Sequence, residues 1–108
     1  AEEIKKRMFV FEDIVTLDNR SIQRVIRDCE NEDLLLSMKV SSDEVKEIIF
    51  RNMSQRMADT FKEEMEIMGP VRLRDVEDAQ TRIVAVVRRL EDAGEVIIAR
   101  GGGDDVIV

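Results

Sequence analysis

The sequence predicts an all-α domain: a compact bundle of about six short helices with an extended C-terminal tail. Three observations predict it. Apolar residues recur with a period near 3.6 in every segment, the mark of a helix with one buried face. The breaks between these segments are only about two to four residues long, so sequential helices must be neighbours. Four Phe, one Pro, no Trp and no Tyr suit helices better than a β-sandwich.

The elements follow in chain order. Glu2 to Phe9 reads as the end of a helix, and Met8-Phe9-Val10-Phe11 forms an apolar knot after it. Glu12 to Leu17 adds one more turn. Asp18 is placed as an N-cap, with Leu17 before it and Ile22 after it as a hydrophobic staple. Ile22, Val25, Ile26 and Cys29 then give the i, i+3, i+4, i+7 pattern. Asn31 is expected to cap a short helix from Glu32 to Val40, with Leu34, Leu35 and Met38 inward.

Ser41 and Glu44 read as a capping box, with Val40 and Val45 as its staple. That helix runs through Val45, Ile48, Ile49 and Met53. Ser54 is expected to cap the next, which Gly69 closes and Pro70 prevents from continuing. A long helix from Leu73 to Ala93 carries the stripe Val76, Ala79, Ile83, Val87 and Leu90, and Gly94 ends it. Val96 to Arg100 is a β-branched run that reads as an extended strap. Gly101-Gly102-Gly103 then frees the end of the chain.

Composition excludes several functions. The 108 residues carry 24 acids and 17 bases, a formal charge of −7. Such a surface repels nucleic acid and anionic lipid. The basic clusters Lys5-Lys6-Arg7 and Arg88-Arg89 are short and flanked by acids, so they read as solvated helix faces. No histidine is present, which removes the usual general base, metal ligand and pH switch. The lone Cys29 cannot form an internal disulfide, fits a reducing compartment, and reads as a small buried hydrophobe.

The longest apolar run, Ile83 to Val87, is far short of the roughly 20 residues of a membrane span. The chain opens without an initiator Met, inside an expected helix, and reads as part of something longer.

Chemistry finds little support. The Gly triplet is followed by neither Lys-Ser/Thr nor a helix, and Asp104-Asp105 would repel phosphate. Asp75, Glu77 and Asp78 lack the spacing of a calcium loop and suit a helix N-terminus. Glu63 and Glu64 are adjacent, so on a helix they point about 100° apart and share no site. No cofactor or metal is expected.

The helix over 54–68 is more informative. Met57, Phe61, Met65 and Met68 fall on one stripe, with Arg56, Asp59, Glu63 and Glu66 roughly opposite and Glu64 on the flank. Asp59 and Glu63 are like charges at i, i+4, a mild penalty that an Arg56–Asp59 pair offsets. Stability gives this cluster little reason, since exposed pairs contribute only about 0–1 kcal/mol. The residues leave two readings open: a solvated face, or an electrostatic interaction surface.

The segments MFVFEDIV, LDNRSIQRVIR, EIIFRNMSQRMAD, GPVRLRDVEDAQ and VVRRLEDAGEVIIARGGG closely resemble the C-terminal part of the FliG flagellar motor switch family. The resemblance covers the chain from Glu2 to its end. Family members carry N-terminal and middle domains and an armadillo-like repeat before the MFVF element. It implies two parts: residues 1–11, the end of a linker helix and an MFVF hinge (Met8, Phe9, Val10, Phe11), and residues 12–108, a torque-generating helical domain.

It also implies a non-enzymatic rotor component at the cytoplasmic face of the bacterial inner membrane, in the flagellar basal body. Its partners would be a MotA-type stator loop, FliM-type switch-ring proteins and further copies of itself, with no nucleic acid and no direct membrane insertion. The family's torque charges fall on Lys39, Arg56, Glu63, Glu64 and Arg72. The two acids are often Asp in the family and are Glu here, one methylene longer. The residue after the lysine is often Gly and is Val40 here. A rival reading is an adaptor domain that binds ring proteins through apolar grooves.

Overall fold

Asp18 begins the first long helical run as its sequence pattern requires, and the longest described helix, near the C-terminus, packs mainly against the helix Asn31–Lys39. In a computed structural model, which describes residues 9–97, the order is a 3-10 segment Phe11–Thr16, then α1 (Asn19–Asp28), α2 (Asn31–Lys39), α3 (Asp43–Arg51), α4 (Gln55–Met68) and α5 (Leu73–Asp92). The described residues thus form an all-helical domain of six helical segments. Of the expected helix end over Glu2 to Phe9, all but Phe9 lies outside the described residues, as does the expected strap over Val96 to Arg100 apart from Val96 and Ile97.

Phe9 enters as coil, and the 3-10 turn is closed reciprocally. The Val10 N–H donates to Asp13 Oδ2 at 3.0 Å, and the Asp13 N–H donates to the Val10 carbonyl at 2.9 Å. Asp18 then caps α1 by accepting from the Ser21 N–H at 2.8 Å, and both staple residues, Leu17 and Ile22, are buried. The hydrogen bonds from Ser21 hold the Asp18 carboxyl below its ordinary value of 3.8.

A depressed folded value means that this cap stabilises fully above the unfolded value and is lost as pH falls through the lower folded one. Asp18→Ala is therefore expected to lower the urea midpoint at pH 7 without changing the slope, and the difference from the parent chain should shrink below pH 3.8.

Two caps lie one residue from where the sequence pattern puts them. α2 starts from Glu30, so Asn31 is its first helical residue and not its cap. α3 starts from Ser42, whose hydroxyl accepts from the Val45 N–H at 3.3 Å. The expected Ser41–Glu44 box does not form, because the buried Ser41 hydroxyl donates back to the Ser37 carbonyl at 2.6 Å. That i−4 bond competes directly with capping. Val40 is 55% exposed, so the proposed staple to Val45 is absent too.

The core joins Ile22 and Val25 of α1, Leu34 and Met38 of α2, Val45 and Ile49 of α3, Phe61 of α4, and Ile83 and Val87 of α5. Burying each large aliphatic side chain contributes roughly 1.5–3 kcal/mol. All five stripe positions of α5 are buried, as the period predicted. Gly94, at φ 78°, ends the helical turn after it. The Glu95 and Val96 N–H groups then return to the Leu90 carbonyl, which turns Val96 into the core while Ile97 stays exposed.

Among the described residues, long-range ion pairs join separate elements of the bundle. Arg82 of α5 donates through Nε and Nη2 to Oδ1 of Asp33 on α2, at 3.0 and 2.8 Å. Asp33 is buried, so this bond satisfies a carboxylate that would otherwise be stranded. Arg24 of α1 reaches Glu95, beyond α5, at 2.8 Å. Cys29 sits in the core, and burial pushes its thiol up to about 12, so thiolate chemistry at neutral pH is suppressed.

Candidate functional site

α4 is built to show one face to solvent. Ser54 caps it by accepting from the Met57 N–H at 3.1 Å. Ala58 and Phe61 are buried, and Met57, Met65 and Met68 pack half-buried against the core. The apolar stripe is therefore as expected, with Ala58 as an added member that lets the helix approach closely. Gly69 closes α4 at φ 68° and ψ −160°, a region essentially reserved for glycine, and Pro70 follows.

The opposite face carries Arg56 and Glu63, and Glu64 lies on the flank, all three exposed. Arg72, also exposed, lies just past the corner as the residue from which α5 starts. Among the described residues, none of these four charges forms an ion pair or a side-chain hydrogen bond. Their neighbours behave differently. Asp59 accepts from Gln55 Nε2 at 3.0 Å, so the Arg56–Asp59 pair read from the sequence is replaced by a Gln55–Asp59 bond. The Lys62 ammonium lies 5.2 Å from the centroid of the Phe50 ring on α3, in cation–π range.

Internal partners thus hold Asp59 and Lys62, and the exposed four are left available.

Helix dipoles make the arrangement more pointed. Glu63, Glu64 and Glu66 crowd the C-terminal half of α4, where acids are disfavoured, and the last turn holds no base. Arg72 and Arg74 sit at the start of α5, where bases are disfavoured. Local stability is conceded at both helix ends, which is expected where a surface serves another purpose.

Lys39 is placed apart from the exposed four. It is the last residue of α2, half-buried, and its Nζ donates to the Met65 carbonyl in the last turn of α4 at 3.0 Å. The structure also exposes apolar side chains beside the charges, which pattern reading missed. Ile67 is 76% exposed, four residues after Glu63 on the same face, and Leu73 next to Arg72 is 67% exposed. The signal was in the sequence: at 100° per residue Ile67 falls outside the Met/Phe stripe.

Of the element expected to be a hinge, Met8 lies outside the described residues. Phe9 and Phe11 are buried while Val10 between them is 50% exposed. With α5 residues such as Val84, Ala85 and Arg88 they line an open groove of about 670 Å³. Among the described residues no group of three or more acids or Cys could hold a metal ion, and no helix is long and apolar enough to cross a membrane.

Residues 1–98 match the family of the FliG C-terminal domain. The chain belongs to that family. It is 81% identical over all 108 residues to the flagellar motor switch protein FliG of Bacillus subtilis, and 59% identical to that of Thermotoga maritima. It spans about a third of those FliG chains, 32% of each. A crystal structure of a FliG fragment from H. pylori superposes with a TM-score of 0.81 at 39% identity, covering 82% of this chain and 39% of that one. Full-length FliG from Aquifex aeolicus gives 0.80 at 34% identity, covering 85% of this chain and 28% of that one.

Proposed function

We propose that this domain is the stator-facing module of a flagellar rotor, a non-enzymatic part that receives torque through its charged α4 face. One observation carries the reading: in a motor-switch family, Arg56, Glu63, Glu64 and Arg72 are exposed and lack partners among the described residues. Their partner is the charged cytoplasmic loop of a MotA-type stator. The contact must form and release repeatedly, and solvent-exposed pairs of about 0–1 kcal/mol suit that requirement.

The domain works in a ring of its own copies and FliM-type proteins, at the cytoplasmic face of the inner membrane in the basal body. Phe9, Val10 and Phe11, with Met8, act as its hinge. Two buried aromatic anchors around one exposed Val make a joint that can re-dock as a unit.

The adaptor reading has its own support in the groove beside Phe9 and α5. Chemical-shift mapping with a stator-loop peptide separates the two. The rotor reading expects shifts at Arg56, Glu63, Glu64 and Arg72. They should fade as salt rises from roughly 0.1 M to 1 M, where the Debye length falls from about 10 Å to about 3 Å. Salt-insensitive shifts confined to the groove would favour the adaptor.

A further inference from the structure

We infer that Lys39 is a positioning residue that orders the last turn of α4, and not itself a stator contact. The inference rests on the reading of α4 as the working face. Its basis is the 3.0 Å bond from the half-buried Lys39 ammonium to the Met65 carbonyl.

An α-helix leaves its last four carbonyls without intrahelical donors. In α4 these belong to Met65, Glu66, Ile67 and Met68. Three acids sit nearby, no base lies in the last turn, and Gly69 brings no capping backbone bond. Arg72, across the corner, makes no hydrogen bond to these carbonyls among the described residues. The end of α4 therefore carries negative dipole, negative side chains and unfilled acceptors together.

Lys39 supplies from a different helix the cation and the donor that α4 lacks. A charged donor on a partly buried carbonyl is a stronger bond than a neutral one.

The bond also gives α4 a mechanical tie. It joins the end of α4 to the end of α2, and α2 is joined to α5 through Asp33 and Arg82. A load on Glu63 and Glu64 has a direct path into the longest helix. An ammonium held in this way has little freedom to swing toward a passing loop. Val40, 55% exposed beside it, does not shield it; the helix it is bonded to does.

Amide exchange in the full 108-residue chain tests this, together with rotation of motors carrying the same changes. Lys39→Met keeps the aliphatic stem and removes the donor. It is expected to speed exchange of the Met65–Met68 amides roughly tenfold, the scale of one charged hydrogen bond, while α1, α3 and α5 keep their protection. It should also reduce torque. Lys39→Arg keeps a cationic donor and should preserve both.

Unchanged exchange in Lys39→Met overturns the inference, whatever the motor does. Faster exchange with normal rotation supports the bond and instead counts against α4 as the working face.

Discussion

Phe61→Ala is expected to destabilise the domain by about 3–5 kcal/mol, a large part of the total for a chain of this size. Phe61 is 3% exposed and is the one large side chain of α4 that is fully drawn into the shared core. The methionines around it are only half-buried and Ala58 is small, so removing the ring takes away the main buried anchor of α4. Urea unfolding followed by circular dichroism measures the loss. A loss under about 1 kcal/mol would mean that α4 is not anchored through this ring.

The effect is local as well as global. α4 owes its place to Phe61, the half-buried methionines, the Lys62–Phe50 contact and the Lys39–Met65 bond. Without Phe61 the charged face loses its fixed support before the rest of the bundle does. Amide exchange in α4 should therefore rise more than in α5, whose own buried stripe is untouched.

Glu63→Lys with Glu64→Lys is the second large effect, and it is functional. The double change moves the face by four charge units, and like-charge approach to a basic stator loop becomes repulsive. Rotation is expected to stop. Stability should hold within about 0.5 kcal/mol or rise slightly, since both positions are exposed and bases near a helix C-terminus are favoured. Loss of rotation could then not be blamed on unfolding. Tethered-cell rotation and thermal unfolding of the same variant give the two readings.

Much of this architecture was legible in the residues. The Asp18 and Ser54 caps, the Gly69 and Gly94 stops and the five-residue α5 stripe follow from local pattern, and each is found where the pattern puts it. The misplaced α3 cap has a physical cause. Ser41 and Ser42 are adjacent and chemically alike, and the choice between them turns on which hydroxyl finds another acceptor. That acceptor, the Ser37 carbonyl, exists only once α2 has formed.

The site was legible in part. Period arithmetic put Arg56 and Glu63 outward and Glu64 on the flank, but could not separate working charges from decoration. Tertiary partners distinguish engaged charges from exposed ones without partners among the described residues, and the latter are the ones proposed to work. Lys62 is engaged because α3 brings Phe50 beneath it, and Lys39 because the end of α2 meets the end of α4. The Asp33–Arg82 pair spans 49 residues, and no local pattern announces it. Contacts of that range depend on how helices stack, which one amphipathic period leaves open.

The central claim is that Glu63 and Glu64 act on the stator by charge, and compensated reversal in a rotating motor tests it most directly. Glu63→Lys with Glu64→Lys would be paired with stators whose loop bases are reversed to acids. The account predicts that either reversal alone stops or cripples rotation and that the two together restore it. Normal rotation in the doubly reversed rotor with an unchanged stator, or no restoration by any reversed stator loop, would contradict it.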